Sequence, residues 1–345
     1  MSSSPPLRHA FVAALLALAA ALAPAARAAA QTPAAPVELT LVSYAVAKPF
    51  FAKVIPEFQK AWKAQAGQDV RFKESYGPSG AQTRAVVGGL EADVVATNLQ
   101  SLVTPLVDAG LVKADWATRL PNGASPASSV IAVIVRAGNP KKIRTWDDIA
   151  LPGVEIVAIN PKTSGNARWG VLAGYGALLR EKDQKAASAW VEALVRNTRT
   201  LASGGREATD AFVKNGIGDV LLTFENEALF ASKASGEPIE YVVPTTNVRT
   251  DFPVVVVDRV VDRRGTRAVA EAFAKFLFGT RAQALYAEAG YRPADEVARK
   301  AAGGKFREVT RLFSVDDLGG WAKVDAALFA DGALYDRAQA ARGGR

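Results

Sequence analysis

Short apolar runs alternate with amphipathic stretches along most of this chain, and this alternation limits the fold more than any other feature. Apolar runs of strand length between patterns of helical period indicate parallel strands joined by crossover helices. The predicted strands cover residues 37–43, 70–75, 93–96, 130–135, 154–159, 220–224, 239–243 and 252–257. The predicted helices cover 49–66, 80–90, 167–180, 184–196 and 207–214, and the pattern is helical again from Thr266 onward. The sequence therefore predicts an α/β protein with mixed, mainly parallel sheets flanked by helices.

The chain is long for one hydrophobic core, so two lobes are expected. A single core rarely grows beyond about 250–300 residues, and this chain has 345. The apolar run 130–135 and the Asn139-Pro140 turn after it mark the predicted crossing between lobes, and 252–257 marks the return. One lobe would contain 37–130 and 250–345, with the helical segment from Thr266 packed on it, and the other lobe would contain 131–249. Ligands of open α/β sheets bind where strands end, so a cleft between the lobes that closes by a hinge is the expected site.

Three junctions between a strand-like run and a helix-like run carry a Ser-Gly motif suited to anions. Ser164-Gly165 lies in the segment 161–169, Ser79-Gly80 opens the second helix with Ser79 as its predicted cap, and Ser203-Gly204-Gly205 is a glycine-rich version. Such a junction directs unpaired backbone N–H groups and the positive end of a helix dipole at one point. One motif alone is more often an ordinary helix cap. Three in one chain favour an anion site.

Residues 1–30 have the composition of a secretory signal peptide. Arg8 and His9 supply a positive start, residues 11–22 are apolar, and small-residue cleavage patterns occur at 26–28 and 28–30. The apolar run is shorter than the roughly 20 residues that a membrane-spanning helix needs. We therefore expect an exported protein that is soluble after the signal peptide is cleaved.

The residue types that are missing exclude most enzyme chemistry. The chain has no Cys, and its single His, His9, lies in the predicted signal peptide. Ser-His-Asp and Cys-His catalysis and most zinc or copper sites are thereby excluded, so no catalytic residue, cofactor or metal site is predicted. A carboxylate-dependent hydrolase stays open as an alternative, with Glu225 and Glu227 as its acids. Two residues apart at a helix start, these carboxylates point in different directions and suit the helix dipole better.

The charge of the chain fits a small anionic ligand better than a nucleic acid. The formal net charge is +8, with both signs scattered along the sequence. Nucleic-acid binding needs basic residues beside stacking aromatics, and the basic run 259–267 contains no aromatic residue. No nucleic-acid partner is therefore predicted. Packing is the predicted role of the six tryptophans, Trp62, Trp116, Trp146, Trp169, Trp190 and Trp321.

Eight segments, in order along the chain, together resemble the sulfate/thiosulfate-binding proteins of ABC transporters. They are Val42-Ser43-Tyr44, Gly77-Pro78-Ser79-Gly80, Leu90-Glu91-Ala92-Asp93-Val94-Val95, Gly138-Asn139-Pro140-Lys141, Asn160-Pro161-Lys162-Thr163-Ser164-Gly165, Ala167-Arg168-Trp169, Phe224-Glu225-Asn226-Glu227-Ala228 and Gly319-Gly320-Trp321-Ala322-Lys323. The resemblance implies a two-lobed, type II-like periplasmic binding protein. Such a protein is expected to be a monomer that holds a desolvated oxyanion through neutral donors and delivers it to a membrane permease.

The resemblance also implies which residues bind the anion. Ser79 matches a hydroxyl and backbone donor of the family, and Ser164 and Gly165 match donors at a second helix start. Asn166 stands where the family usually has Gly, and Gly205 stands where it offers the backbone N–H of an Ala. The full set of candidate ligand-binding residues is Ser43, Ala45, Ser79, Gly80, Ser164, Gly165, Asn166, Gly205 and Phe224.

Two further departures from the family pattern bear on affinity. Ala45 replaces an Asp, and Phe224 replaces a Trp whose indole N–H donates to the anion. One lost hydrogen bond to a buried charge costs about 1.5–3 kcal/mol, so sulfate is expected to bind more weakly or a related anion to be preferred. Arg168 and Arg206 lie beside the anion loops, and we expect them to face solvent or to pair with carboxylates.

The anion preference has a simple physical basis. Sulfate only accepts hydrogen bonds, whereas hydrogen phosphate carries a proton that needs an acceptor, so a site built of donors alone disfavours phosphate. Thiosulfate and molybdate satisfy the same condition. The predicted function is therefore capture of sulfate or thiosulfate for an ABC-type permease. The alternative is a binding protein or sensory module for another oxyanion.

Overall fold

Two mixed β-sheets carry the fold in the computed structural model, which describes residues 35–235 and 239–343. The strands are β1 (Val37–Tyr44), β2 (Val70–Gly77), β3 (Val94–Ala96), β4 (Ala127–Ser129), β5 (Ile131–Val135), β6 (Ile156–Ile159), β7 (Thr198–Ala202), β8 (Val220–Phe224), β9 (Tyr241–Val242), β10 (Thr246–Val248), β11 (Thr250–Asp251), β12 (Val254–Val256), β13 (Arg292–Pro293) and β14 (Arg311–Phe313). The predicted signal peptide, residues 1–30, lies outside the described residues.

Helices follow most of the longer strands. They are α1 (Lys48–Ala66), α2 (Ser79–Val87), α3 (Thr104–Asp108), α4 (Pro121–Ala124), α5 (Trp146–Ile149), α6 (Gly165–Glu181), α7 (Gln184–Asn197), α8 (Gly205–Val213), α9 (Glu225–Ser235), α10 (Asp258–Arg264), α11 (Arg267–Phe276), α12 (Thr280–Glu288), α13 (Glu296–Ala301), α14 (Gly320–Leu328) and α15 (Leu334–Gly343). Short 3₁₀ turns occur at Ala45–Ala47, Gln100–Leu102, Ala114–Thr118, Gly303–Lys305 and Asp316–Leu318. None of the helices in the described part of the chain has the length and apolar character needed to cross a membrane.

The first large sheet has four strands in the order β12-β3-β1-β2. β1 runs parallel to β2, with Tyr44 opposite Gly77 at their carboxyl ends, and parallel to β3, with Ser43 opposite Ala96. Only β12 runs antiparallel to its neighbour. β1, β2 and β3 therefore all end at one edge of the sheet.

The second large sheet has five strands in the order β7-β6-β8-β5-β9. β6 is parallel to both β7 and β8, while β5 is antiparallel to β8 and β9. The parallel strands again end at one edge, where α6, α8 and α9 begin. Two small sheets, β11-β4-β13 and β10-β14, complete the strand pairing of the described residues.

Aromatic side chains on α1 form much of the core beside the four-stranded sheet. Phe50, Phe51 and Phe58 are buried. The ring of Phe50 stacks on Tyr286 of α12 with 3.8 Å between centroids, and the ring of Phe58 meets Phe273 of α11 edge to face at 5.0 Å. Such pairs add to the stabilisation from burial alone. They hold α1, α11 and α12 together on one side of this sheet.

The α/β class and most predicted elements are confirmed, and three expectations need correction. β7 was not predicted, because the strand is short and polar and only its two end residues are buried. Ser79 does not cap α2: it is the first residue of the helix, Pro78 precedes it without a side-chain cap, and the helix ends at Val87. Ser79 is free for another role because its hydroxyl is not used for capping.

The C-terminal segment from Thr266 does not pack only beside the four-stranded sheet. α11 and α12 pack against α1, as expected, but α15 packs against α7 beside the five-stranded sheet. Arg342 of α15 donates from Nη2 to the carbonyl oxygen of Thr198 at 2.5 Å. The segment from Thr266 is thus shared between the surroundings of the two large sheets. The proposed lobe boundaries, 37–130 plus 250–345 and 131–249, stay a prediction.

Candidate anion-binding site

A cavity of about 190 Å³ lies where strand ends from both large sheets meet. Residues 44–46 and 77–79 and Asn98 border it from the four-stranded sheet. Ser164, Asn166 and residues 203–207 border it from the five-stranded sheet. The three Ser-Gly motifs, which are far apart in sequence, are therefore brought to one place.

Three helices, α2, α6 and α8, begin at this cavity. The first N–H groups of a helix have no acceptor within that helix and carry the positive end of its dipole. At α6 and α8 these groups include the N–H of Asn166, Gly205 and Arg206. A cavity surrounded by such groups can stabilise a negative charge without a cationic side chain.

Two hydrogen bonds join the start of α2 directly to the start of α6. The N–H of Gly165 donates to the hydroxyl oxygen of Ser79 at 2.8 Å, and the N–H of Gly80 donates to the carbonyl oxygen of Thr163 at 3.0 Å. A Cβ at Gly80 would stand 2.8 Å from the oxygen of Thr163, and a Cβ at Gly165 would overlap the side chain of Asn98. Both glycines are needed because the two loops approach so closely.

The hydroxyl groups of Ser79 and Ser164 are available to a ligand. Ser79 is buried, and its oxygen accepts from Gly165 while its own O–H can still donate. Ser164 precedes α6 without capping it, and within the described part of the chain its hydroxyl has no hydrogen bond. Both side chains border the cavity.

Asn166 and Gly205 fit each other across the cavity wall. The Asn166 side chain is buried, and its Nδ2 donates to the hydroxyl oxygen of Thr223 at 3.1 Å. A Cβ at Gly205 would stand only 2.8 Å from this Nδ2 and 3.1 Å from the side chain of Val46. The absence of a side chain at Gly205 therefore makes room for the side chain of Asn166.

Four candidate residues from the sequence do not border the cavity: Gly80 and Gly165, which join the two loops, and Ser43 and Phe224. The hydroxyl of Ser43 donates to the carbonyl oxygen of Ala96 at 2.8 Å and joins β1 to β3. Phe224 is fully buried and meets Phe252 edge to face at 5.1 Å. Both are placed as packing residues behind the site, whereas Ala45 borders the cavity.

Arg206 is the cationic side chain at the cavity wall, and a buried carboxylate pairs with it. Its Nη2 lies 3.2 Å from Oε2 of Glu227, and its guanidinium lies over the ring of Phe230 at 4.2 Å. Glu227 is fully buried. Burial raises the pKa of Glu227 to about 7, although the charge of Arg206 acts in the opposite direction.

The second buried carboxylate, Glu225, is held elsewhere. Its Oε2 accepts from Nε of Arg292 at 2.9 Å, and its Oε1 accepts from the N–H of Arg307 at 2.8 Å. Burial raises the pKa of Glu225, and the charge of Arg292 counteracts the rise. Glu225 and Glu227 each pair with their own arginine and neither borders the cavity. This arrangement gives the hydrolase alternative no pair of acids facing a substrate.

Arg168 and Glu207 complete the charged surroundings of the loops. Arg168 donates from Nε to the carbonyl oxygen of Pro161 at 3.0 Å and pairs through Nη1 with Asp325 at 3.1 Å. It therefore pairs with a carboxylate, as expected from the sequence. Glu207 is exposed at the rim of the cavity and accepts hydrogen bonds from the N–H and the hydroxyl of Ser203.

Asn98 is the residue that sequence reasoning missed. It follows β3, borders the cavity and is 2% exposed. No motif marks it, since a single Asn after a short strand is an ordinary loop residue. The free polar groups of its side chain become visible only when α6 is placed against β3.

The chain is similar along most of its length to known bacterial binding proteins. Residues 39–292 match the family model described as bacterial extracellular solute-binding protein. The sulfate-binding protein of Synechococcus elongatus is 45% identical over 312 residues, which are 90% of this chain and 89% of the relative. The thiosulfate-binding protein of Pseudomonas aeruginosa is 40% identical over 336 residues, 96% of this chain and 98% of the relative.

A solved structure shows the same likeness. The sulfate-binding protein SubI from Mycobacterium tuberculosis is 37% identical, with a TM-score of 0.78, and the match covers 85% of this chain and 99% of SubI. The chain therefore belongs to the bacterial extracellular solute-binding proteins, in the group that contains the sulfate- and thiosulfate-binding proteins.

Proposed function

We propose that this protein captures sulfate or thiosulfate in the cavity between the two large sheets and delivers it to an ABC-type permease. The observation that carries the proposal is the convergence of the first turns of α2, α6 and α8 on one cavity. Backbone N–H groups and serine hydroxyls can there replace the water shell of a dianion. The names of the relatives support the same ligands.

The chemistry of the cavity wall favours an anion that carries no proton. The donors are the hydroxyls of Ser79 and Ser164 and the free N–H groups of α6 and α8. The bordering carboxylate, Glu207, is exposed and engaged by Ser203. A hydrogen phosphate would bring an O–H that needs an acceptor, whereas sulfate and thiosulfate need only donors. Molybdate or another oxyanion is the alternative ligand.

The proposal includes the place and partners of the protein. The N-terminal signal peptide directs the chain to the periplasm and is then cleaved off. The mature protein acts as a monomer beside its permease. In this proposal the protein binds and releases the anion without chemical change. Residues 45, 79, 164, 166 and 205 border the anion site, and Gly80 and Gly165 join its two loops. Ser43 and Phe224 support it from behind.

Isothermal titration of the mature protein, freed of anions, tests this function. We expect one-to-one binding of sulfate or thiosulfate and weaker binding of phosphate. Ser164→Ala should weaken binding about 10-fold or more, because one hydrogen bond to a charged ligand is worth about 1.5–3 kcal/mol. Ser188→Ala on α7, outside the cavity, is the matched control and should bind as the unaltered protein does. Binding of none of sulfate, thiosulfate, molybdate and phosphate would contradict the proposal.

A further inference from the structure

The side chain of Asn98 is buried at the cavity without a protein partner. Asn98 is 2% exposed. Its carbonyl oxygen accepts from the indole Nε1 of Trp169 at 2.6 Å, which holds its backbone in place. Within the described residues, no hydrogen bond reaches either end of its side-chain amide, and Oδ1 is a buried atom with no partner. A buried amide without partners is costly, and a ligand in the cavity that bonded to this amide would remove part of that cost.

The packing of Asn98 shows which end of the amide faces the cavity. Oδ1 lies so close to Gly165 that a Cβ there would overlap it. The two terminal atoms of an amide diverge from one carbon, so contact of Oδ1 with Gly165 turns Nδ2 the other way. Asn98 borders the cavity, and Nδ2, unlike Oδ1, is not among the fully buried unpartnered atoms. From these contacts we infer that Nδ2, the free donor of this amide, is the end that faces the ligand space.

The position of Asn98 complements that of the serines. The hydroxyl oxygen of Ser79 would stand 3.1 Å from a Cβ at Gly165, beside the same glycine that Oδ1 of Asn98 contacts. Asn98 comes from the end of β3, while Ser164 and Asn166 come from the end of β6. A donor at Asn98 therefore lies on the same side of the cavity as the hydroxyl of Ser79. It faces the first turn of α6 on the other side.

We propose that Asn98 is a further ligand of the bound oxyanion, with Nδ2 donating to one of its oxygens, and that this contact favours sulfate over thiosulfate. The inference rests on the proposed function and adds a residue to its site. Sulfur is a weaker hydrogen-bond acceptor than oxygen. Sulfate has an oxygen at all four corners, so it can accept from every donor of the site in any orientation. Thiosulfate has to be oriented so that its outer sulfur does not face Nδ2 of Asn98.

Calorimetric titration of Asn98→Ala with sulfate and with thiosulfate tests the proposal. Sulfate affinity should fall about 10- to 100-fold, the range expected for a hydrogen bond to a charged ligand. Thiosulfate affinity should fall less, so the preference between the two anions narrows. Asn226→Ala is the matched control. Asn226 is also 2% exposed with an unpartnered Oδ1, but it borders a different cavity, so both affinities should stay unchanged.

Asn98→Asp separates a direct contact from a loss of packing. The carboxyl has nearly the shape of the amide, and it lacks a donor when ionised and regains an O–H when protonated. Sulfate should bind this variant poorly at pH 8 and better as the pH falls to 5. The unaltered protein is the reference at each pH, because Glu227 beside Arg206 at the cavity wall also titrates in this range. A role in packing alone would not add a pH dependence beyond that of the unaltered protein.

The outcomes separate this inference from the function on which it rests. If the unaltered protein binds sulfate and both Asn98 variants bind it equally well, Asn98 is not a ligand and the proposed function stands. If sulfate affinity falls but the preference over thiosulfate does not narrow, the specificity role is wrong. If Asn98→Ala does not fold, the pH profile of Asn98→Asp decides. If the unaltered protein binds neither anion, both proposals fail.

Discussion

Burial disfavours the ionised form of the Glu227 carboxylate. It is fully buried, and neither of its oxygens has a geometrically good hydrogen bond within the described residues. Arg206, 3.2 Å away, supplies a compensating charge and also borders the cavity. Ionised Glu227 therefore compensates the charge of Arg206 at the cavity. Protonation of Glu227 would leave the charge of Arg206 uncompensated.

The raised pKa of Glu227 predicts a pH dependence of stability. The pKa is about 7 in the folded protein against a reference value of 4.5. Between these values the folded state keeps a proton that the unfolded state has lost, so this group makes the free energy of unfolding fall as the pH rises from 4.5 to 7. The fall is on the order of 3 kcal/mol, at about 1.4 kcal/mol for each pKa unit.

Urea unfolding of Glu227→Gln at pH 5, 6, 7 and 8 checks this dependence. In this variant the free energy of unfolding should no longer show the decrease with pH that Glu227 causes, because glutamine does not titrate. Glu192→Gln, on the exposed side of α7, is the control and should follow the unaltered protein. Equal pH slopes for Glu227→Gln and the unaltered protein would contradict the assignment.

At the level of elements, α6 packs on its neighbours through glycines. A Cβ at Gly174 would overlap the indole of Trp190 on α7, and a Cβ at Gly176 would stand 2.6 Å from the ring of Phe313 on β14. Trp190 in turn meets Trp146 edge to face at 5.8 Å. The close contact of α6 with α7 therefore depends on small residues on one side and large rings on the other.

Two substitutions on α6 test this packing. Gly174→Ala should destabilise the protein by about 1–3 kcal/mol, because the added methyl overpacks the core against Trp190. Gly170→Ala is the control on the same helix. Its Cβ would meet Leu222 at 3.7 Å, an ordinary contact, so the gain in helix propensity of about 0.5–1 kcal/mol should dominate. Thermal melts that show equal stability for the two variants would refute the packing argument.

At the level of the whole molecule, the proposed anion site is shared between the two large sheets. The hydrogen bonds from Gly165 to Ser79 and from Gly80 to Thr163 join loops that follow strands of different sheets. An anion in the cavity would contact donors from both. Its binding energy would therefore favour the arrangement in which the sheets are brought together.

We expect the two proposed lobes to separate when the anion is removed and to close when it binds. Small-angle X-ray scattering of the mature protein should give a smaller radius of gyration with saturating sulfate than without it. Ser164→Ala at the same sulfate concentration should show less closure, because it binds less sulfate. Identical scattering curves with and without sulfate, under conditions where calorimetry shows binding, would rule out closure.

Local patterns in the sequence predicted the elements well. The apolar run of β8 and the amphipathic pattern of α7 were each placed to within a residue, because period and burial agree there. β7 was missed because only Thr198 and Ala202, at its two ends, are buried. The Ser-Gly motifs predicted anion-binding helix starts, since capping chemistry is local.

Contacts between distant residues were beyond these patterns. Ser43 and Phe224 were expected at the site but do not border the cavity, while Asn98 was not expected and does border it. The pairing of Asn166 with Gly205 and of Arg206 with Glu227 also depends on which loops the fold brings together. None of these relations has a signature in the neighbouring residues.

The sequence by itself determined the α/β class, the helix starts that can hold an anion and the exclusion of histidine and cysteine chemistry, because each depends on residue type and local period. Only the tertiary structure decided which hydrogen-bond donors remain free, which carboxylate is buried away from water, and which amide borders the cavity. The physical reason is that hydrogen-bond satisfaction and desolvation are properties of packed neighbours, and those neighbours come from separate segments of the chain.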